Sequence, residues 1–192
     1  MGKLIFITGG AKSGKSSLAL KLAKEIEKEK VFIETRLAQD EEMQERNRRH
    51  RVDRPATWRT VEPGHDLVSA LEKEVKTDIV LVIDCLTPYV SLLLKRGVEE
   101  EEIEKQVGDV VSVISRGKAT AILVSNEIGG GLVPENKLGR DFRDMAGICN
   151  QIVAAGAQEV YLTVSGIALR IKREKKASVF GRVVKQIVRK DI

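Results

Sequence analysis

One stretch near the start of the chain, residues 4–16, restricts the fold more than any other part of the sequence. Four apolar residues ending at Ile7 predict a buried strand, and the pattern GxxxxGKS follows at residues 9–16. An amphipathic helix is predicted next, with apolar side chains at helical spacing on one face (Leu18, Leu22 and Ile26). A glycine-rich loop between a strand and a helix is the context of a phosphate-binding loop. The stretch therefore predicts that the chain binds a nucleoside triphosphate.

The residue types of this loop match the chemistry of a triphosphate. Glycines allow backbone N–H groups to approach the phosphates without an intervening Cβ. The helix that begins near Lys15 adds unpaired N–H groups and the positive end of its dipole. The Lys15 ammonium can reach the β- and γ-phosphates, and the Ser16 hydroxyl can bind Mg²⁺. We predict nucleotide contacts from the whole loop: Gly9, Gly10, Ala11, Lys12, Ser13, Gly14, Lys15 and Ser16.

Apolar runs and amphipathic stretches alternate along the rest of the chain. Five runs predict strands that are buried on both faces, at residues 4–8, 31–35, 79–84, 120–125 and 160–164. Apolar residues at helical spacing lie between them, for example Ile103, Val107, Val110 and Ile114. This alternation predicts an α/β fold with a single doubly wound, mostly parallel sheet.

Polar residues follow the predicted strands, where ligands bind in folds of this kind. Asp84 ends the apolar run at residues 79–83, and an acidic residue there fits the second element that holds Mg²⁺ beside a phosphate loop. The alternative is that Asp84 caps a helix beginning near Leu86. We predict metal ligation by Ser16 and Asp84.

The segment from Asp40 to Asp53 is rich in charge and holds almost no apolar residues. It predicts an exposed helix, because acidic residues open it and basic residues close it. Its basic residues are all arginines, the better bidentate ligands of phosphate, and His50 stands among them. Neighbouring cations favour a neutral, nucleophilic imidazole. His50 is thus a candidate catalytic residue, and the alternative is a solvated charged face.

A glycine-rich segment, residues 125–136, follows the fourth predicted strand. Its three adjacent glycines, 129–131, allow close backbone approach or movement, and loops of this type bind a ligand or close over it. The alternative is a flexible connection between a strand and a helix.

The charge of the chain is concentrated at its C-terminal end. The chain has 33 Lys and Arg against 28 Asp and Glu, a formal net charge of +5. Residues 170–192 hold nine basic and two acidic residues, a charge of +7, so the rest sums to −2. A nucleic-acid partner is therefore not expected. No apolar run approaches the roughly 18 residues of a membrane span, and we expect a cytoplasmic protein with no signal peptide and two reduced cysteines.

Several of these segments together resemble one family, the bifunctional adenosylcobinamide kinases and adenosylcobinamide-phosphate guanylyltransferases of cobalamin biosynthesis (the CobU family). Two segments carry most of the resemblance, Arg49-His50-Arg51-x-x-Arg54-Pro55 and Asn136-x-Leu138-Gly139-Arg140-x-Phe142-Arg143-Asp144. Others are the phosphate loop and residues 58–62, 82–87, 124–129, 133–135 and 150–151. The resemblance spans roughly residues 3–172 and implies a RecA-like phosphate-loop fold.

The resemblance implies two reactions. A nucleoside triphosphate (ATP or GTP) first phosphorylates adenosylcobinamide; GTP then transfers GMP to that phosphate, releasing pyrophosphate and giving adenosylcobinamide-GDP. The histidine that matches His50 carries GMP covalently, so His50 and Lys15 are the catalytic candidates. Implied nucleotide contacts beyond the phosphate loop are Glu34, Thr35, Arg36, Arg51, Val52, Asp53, Arg54, Glu62 and Asp84. Here Glu34 and Arg36 stand where many members have small residues.

The resemblance also implies a homotrimer with Mg²⁺, a nucleotide and a corrinoid as its ligands. We expect one catalytic domain over residues 1–172 and a basic C-terminal extension over 173–192, in which Val179, Val183 and Ile187 share a helical face. The alternative functions are a small-molecule kinase with the phosphorylation activity alone and a regulatory or nucleic-acid-dependent ATPase.

Overall fold

The computed structural model describes residues 2–35 and 55–173 of the chain. Its strands are β1 (Lys3–Gly9), β2 (Lys30–Glu34), β3 (Arg59–Val61), β4 (Val80–Asp84), β5 (Thr120–Asn126), β6 (Glu159–Val164) and β7 (Ile167–Arg173). Its helices are α1 (Lys15–Lys24), α2 (Leu67–Glu74), α3 (Leu86–Lys95), α4 (Glu100–Arg116) and α5 (Lys137–Gly156).

The seven strands form one sheet in the order β3-β2-β4-β5-β1-β6-β7. All neighbours are parallel except β6 and β7, which pair as an antiparallel hairpin. Strand β5 lies between β1, which leads into the phosphate loop, and β4, which ends at Asp84. The mostly parallel, doubly wound sheet predicted from the sequence is confirmed.

The central strands are buried on both faces, which explains their unbroken apolar runs. One face packs against α1; we call it the α1 face, and its strand residues are Ile5, Ile7, Phe32, Val80, Val82, Ile122 and Val124. The opposite face packs against α2, α3, α4 and α5. The predicted stripe on α4 is fully buried there, so the periodicity of that segment identified its core side chains correctly.

Helix α1 contacts the sheet differently from the sequence prediction. Ala19 and Ala23 of α1 are fully buried against the sheet, whereas the predicted stripe (Leu18, Leu22 and Ile26) is only partly buried. Small side chains allow the helix that follows the phosphate loop to lie close to the strands. The large apolar side chains beside them cover the edges of this contact.

Two strands are absent from the sequence prediction. β3 has only three residues, none of them buried, so it carries no apolar signal. β7 alternates apolar with basic residues, and Ile167, Leu169 and Ile171 are all exposed. The predicted boundary between the catalytic domain and the C-terminal extension, at residue 172, falls inside this strand. The predicted helix at 40–53 and the extension beyond Arg173 lie outside the described residues.

Candidate functional site

Polar residues converge at one edge of the sheet, because five neighbouring parallel strands end there. The phosphate loop follows β1, Thr35 follows β2, Glu62 follows β3, Cys85 follows β4 and Glu127 follows β5. Ligands of doubly wound sheets bind beyond the carboxyl ends of the strands. The topology therefore makes this edge the candidate nucleotide site.

The backbone of the phosphate loop adopts conformations that favour glycine. Gly9 has φ 152° and Gly14 has φ 98°. A Cβ built on Gly9 would lie 2.3 Å from the Thr163 carbonyl oxygen and 2.6 Å from the Thr163 Oγ1. Glycine at position 9 is therefore required by close packing against β6 as well as by backbone conformation.

Lys15 begins α1, and only 7% of its surface is exposed. Its ammonium donates to the Gly10 carbonyl oxygen at 2.5 Å and to Ser13 Oγ at 3.4 Å. Both acceptors belong to the phosphate loop, so the ammonium is folded back over the loop. It is therefore held over the loop, beside the position that the phosphates of a bound nucleotide would take.

Two carboxylates lie side by side at the ends of adjacent strands. Glu34 of β2 is the register partner of Asp84 of β4, and both residues are about 95% buried. Register partners in parallel strands point to the same face. Side chains alternate along a strand, so both carboxylates lie on the face of Phe32 and Val82, two residues earlier, which pack against α1. Thr35 Oγ1 donates to the Cys85 carbonyl oxygen at 2.5 Å, which ties the exit of β2 to the exit of β4.

Asp84 does not cap α3, since the residue at the cap position is Cys85. The capping interpretation of Asp84 is therefore wrong. The Asp84–Cys85 peptide bond is cis. The metal interpretation stays a prediction. The burial of the Asp84 carboxylate at this edge of the sheet supports it.

Hydrogen bonds fix the base of the glycine-rich loop. The Glu127 backbone N–H donates to the Gly9 carbonyl oxygen at 2.9 Å, which joins this loop to the phosphate loop. Asn126 N–H donates to Thr87 Oγ1 at 2.8 Å, and Asn150 Nδ2 donates to the Asn126 carbonyl oxygen at 3.0 Å. The tip of the loop is by contrast exposed, with Leu132 at 97%. The loop thus has an anchored base beside the nucleotide site and an exposed tip.

The structure brings most of the predicted site residues together at one edge of the sheet. Residues 9–16, 34–35 and 84 surround the ends of the central strands, and exposed Glu62 stands beyond the short β3. The other predicted contacts lie outside the described residues: Arg36, His50, Arg51, Val52, Asp53 and Arg54.

The β6–β7 hairpin contributes contacts that sequence reasoning missed. Its turn consists of Ser165 and Gly166, with φ values of 51° and 81°, and the Gly166 N–H donates to the Ser13 carbonyl oxygen at 3.0 Å. Thr163 Oγ1 lies 2.8 Å from Ser13 Oγ. The signal for the turn was the Ser-Gly dipeptide between two strand-forming segments.

The fold and the loop together define a phosphate-loop nucleotide-binding protein with a RecA-like sheet. A solved structure of the RadB recombinase is similar to this chain with a TM-score of 0.53 and 15% sequence identity, over 92% of this chain and 84% of that one. The Pyrococcus horikoshii OT3 protein PH0250 is similar with a TM-score of 0.57 and 9% identity, over 91% of this chain and 88% of that one. At these identities the likeness concerns the fold alone.

The chain belongs to the CobU family, described as cobinamide kinase / cobinamide phosphate guanyltransferase, whose model matches residues 5–171. It is 38% identical to the bifunctional adenosylcobalamin biosynthesis proteins CobU of Salmonella typhimurium LT2 and Escherichia coli K12, over 88% of this chain and 99% of each of those proteins. It is 37% identical to the corresponding protein CobP of Pseudomonas aeruginosa, over 88% of this chain and 96% of that protein. This confirms the family predicted from the sequence and makes the chain a bifunctional enzyme, a kinase and a guanylyltransferase.

Across residues 2–35 and 55–173, every helix is too short or too polar to cross a membrane.

Proposed function

We propose that one nucleotide site, built on the phosphate loop, serves both reactions and that His50 is the nucleophile of the second. The first reaction phosphorylates adenosylcobinamide with ATP or GTP; the second transfers GMP from GTP to adenosylcobinamide phosphate. The observation that carries this proposal is the buried Lys15 ammonium, folded over the loop at the edge where Glu34 and Asp84 also end.

The kinase step needs positioning and charge neutralisation more than covalent chemistry from the protein. The aminopropanol hydroxyl of adenosylcobinamide attacks the γ-phosphorus and loses its proton to solvent. The bond from that phosphorus to the β,γ-bridging oxygen breaks, and the nucleoside diphosphate leaves. Lys15 neutralises charge on the β- and γ-phosphates, and the backbone N–H groups of the loop orient them.

Mg²⁺ fits the chemistry of this edge of the sheet. The Ser16 hydroxyl and the Asp84 carboxylate would hold it, and it would neutralise charge on the phosphates. Among the described residues, no group of three or more His, Cys, Asp or Glu side chains forms a metal cage. Two protein ligands suit Mg²⁺, which keeps several waters and binds phosphate oxygens.

The guanylyl step needs a nucleophile at the α-phosphorus of GTP. One imidazole nitrogen of His50 attacks it, a P–N bond forms, the bond to the α,β-bridging oxygen breaks, and pyrophosphate leaves. A phosphate oxygen of adenosylcobinamide phosphate then attacks the same phosphorus, the P–N bond breaks, and the imidazole is released. Arg49, Arg51 and Arg54 would stabilise the charge that develops on the phosphates.

The path of the chain supports this role for His50. Thr35 is the last described residue before the segment that contains His50, and it is fixed at the carboxyl edge of the sheet by its bond to the Cys85 carbonyl oxygen. The chain therefore enters the part of the sequence that contains His50 from the nucleotide edge. Fifteen positions separate Thr35 from His50 in the sequence.

The direct test replaces His50 and follows both reactions separately. Wild type and His50→Ala are incubated with α-labelled GTP and Mg²⁺, and protein-bound label and corrinoid phosphate are measured in parallel. His50→Ala should lose the protein-bound GMP and the guanylyl transfer but keep the kinase reaction, which needs no protein nucleophile. His65→Ala is the matched control, because His65 is exposed and is the other histidine of the chain.

The chemical behaviour of the label identifies the bond. A phosphoramidate is labile in acid and more durable in alkali, so the wild-type label should be lost in acid. Acid-stable label, or undiminished label in His50→Ala, would refute the role of His50. Full guanylyl transfer by His50→Ala would refute it as well.

We further propose a cytoplasmic homotrimer, as the family resemblance implies. Cys85 and Cys149 are both buried free thiols, which fits a reducing compartment. Light scattering at micromolar concentration tests the assembly, and a monomer would contradict it.

A further inference from the structure

One serine of the phosphate loop is held on two sides by the β6–β7 hairpin. Ser13 is 8% exposed; its carbonyl oxygen accepts from the Gly166 N–H at 3.0 Å, and its hydroxyl lies 2.8 Å from Thr163 Oγ1. A Cβ on Gly14 would lie 3.2 Å from the Gly166 Cα, so the turn of the hairpin also packs directly against the loop. The hairpin thus fixes both the backbone and the side chain of the loop.

The Ser13 and Thr163 hydroxyls lie within hydrogen-bond distance of each other, and a backbone carbonyl oxygen lies beside Thr163. Thr163 is 2% exposed, and its hydroxyl donates to the Thr8 carbonyl oxygen at 3.3 Å. A hydroxyl has one hydrogen, so Thr163 Oγ1 accepts from Ser13 in the same arrangement. The lone pairs of Ser13 Oγ are then free to accept from the Lys15 ammonium, which lies 3.4 Å away.

We propose that Thr163 is a positioning residue for the nucleotide site of both reactions. It acts through Ser13: it orients the Ser13 hydroxyl as an acceptor for Lys15, and with Gly166 it holds the loop in the conformation that receives phosphates. The proposal rests on the phosphate loop being the nucleotide site. The hydrogen-bond partners of the Thr163 hydroxyl are Ser13 Oγ and the Thr8 carbonyl oxygen.

Removing the Thr163 hydroxyl has a defined consequence. The Ser13 hydrogen loses its buried acceptor, and the hydroxyl must rotate toward another oxygen. The Gly10 carbonyl oxygen, which now accepts from Lys15, is one such oxygen, because Ser13 lies in the same turn of the loop and its N–H already donates to that carbonyl at 3.3 Å. The ammonium is then displaced, and nucleotide binding weakens while the reacting groups stay unchanged.

The experiment compares nucleotide binding by wild type, Thr163→Val and Thr163→Ser, with Thr120→Val as the matched control. Thr120 begins β5 at the opposite edge of the sheet, so the control removes a threonine hydroxyl from a strand far from the site. The Kd of GTP is measured by calorimetry on the full chain, and the KM and kcat of the kinase step are measured beside it. Thermal unfolding shows whether each variant is folded.

Thr163→Val should raise the Kd and the KM about tenfold, the factor of one ordinary hydrogen bond, and change kcat less than about threefold. Thr163→Ser should restore binding to within about threefold, since it keeps the hydroxyl. Thr120→Val should bind like wild type. A folded Thr163→Val with wild-type Kd would overturn the role of Thr163 alone, whereas a wild type that binds no GTP would overturn the phosphate-loop assignment beneath it.

A double-mutant cycle tests the connection between the two hydroxyls. If Thr163 acts through Ser13, Ser13→Ala and the double variant with Thr163→Val should each raise the Kd by about the same tenfold factor. If the double variant instead raises the Kd about a hundredfold, the product of the two single effects, then Thr163 acts by another route and the proposal is refuted.

Discussion

Gly9→Ala is the substitution whose effect the structure specifies most fully. Gly9 ends β1 and is the register partner of Thr163 in β6. An added Cβ would lie 2.3 Å from the Thr163 carbonyl oxygen, about 1 Å closer than ordinary van der Waals contact. That oxygen belongs to the backbone of a strand paired on both sides, so it cannot simply rotate away.

The expected cost has two parts. Forcing β1 and β6 apart at this point is an overpacking effect of about 1–3 kcal/mol. The backbone adds a second penalty, because φ is 152° and alanine rarely adopts that conformation, at roughly 1–3 kcal/mol. Together they predict a loss of about 2–6 kcal/mol in the free energy of unfolding, or on the order of 5–20 °C in Tm for a chain of this size.

Gly10→Ala is the matched control, because a Cβ at that position would meet no atom within 4 Å. Urea and thermal unfolding of both variants and the wild type give the comparison. We expect Gly10→Ala to stay within about 1 kcal/mol of wild type. Equal stability of Gly9→Ala and Gly10→Ala would refute the packing of the phosphate loop against β6.

Three further predictions concern other parts of the molecule. Lys15→Ala should abolish kinase turnover and strongly weaken GTP-dependent labelling, while Lys24→Ala, at the exposed end of α1, should retain both; normal turnover by Lys15→Ala would refute the loop assignment. The Arg59 guanidinium lies 2.6 Å from the Glu74 carboxylate and lowers the pKa of Glu74. At pH 7, Glu74→Gln should therefore reduce the free energy of unfolding by less than about 1 kcal/mol. Urea titrations at pH 7 and below the folded-state pKa of Glu74 should show that this difference from wild type disappears at the lower pH. Burial raises the pKa of Cys149 to about 12, so mass spectrometry should find that thiol unalkylated in the native protein at pH 8 and alkylated after denaturation.

The sequence predicted the parts of the fold that depend on buried apolar runs. The strands β1, β2, β4 and β5 are mostly apolar and mostly buried, as a parallel sheet covered on both faces requires. β6 was predicted from its mostly apolar sequence, although it is only partly buried. β3 has only three residues, two of them exposed, and pairs with a single neighbour, so its sequence carries no comparable signal. β7 lies exposed at an edge of the sheet. Because it holds basic residues, the sequence prediction grouped its second half with the charged C-terminal end instead of with the strands.

The sequence predicted the site where chemistry requires particular residue types at fixed spacing. The phosphate loop is such a case, and its position at the carboxyl edge follows from the parallel sheet. The contact of Thr163 with Ser13 joins residues 150 positions apart, and threonine is common in strands, so no local pattern marks it. The neighbouring burial of Glu34 and Asp84 likewise depends on strand order, which places β2 beside β4.

The central claim, that one phosphate-loop site serves both reactions, is tested most directly by product analysis. The full-length protein is incubated with adenosylcobinamide, GTP and Mg²⁺, and the corrinoids are followed by mass spectrometry over time. We predict that adenosylcobinamide phosphate appears first and adenosylcobinamide-GDP follows with release of pyrophosphate, and that Lys15→Ala forms neither product. A wild type that stops at the phosphate, or a Lys15→Ala variant that still makes adenosylcobinamide-GDP from supplied adenosylcobinamide phosphate, would contradict the claim.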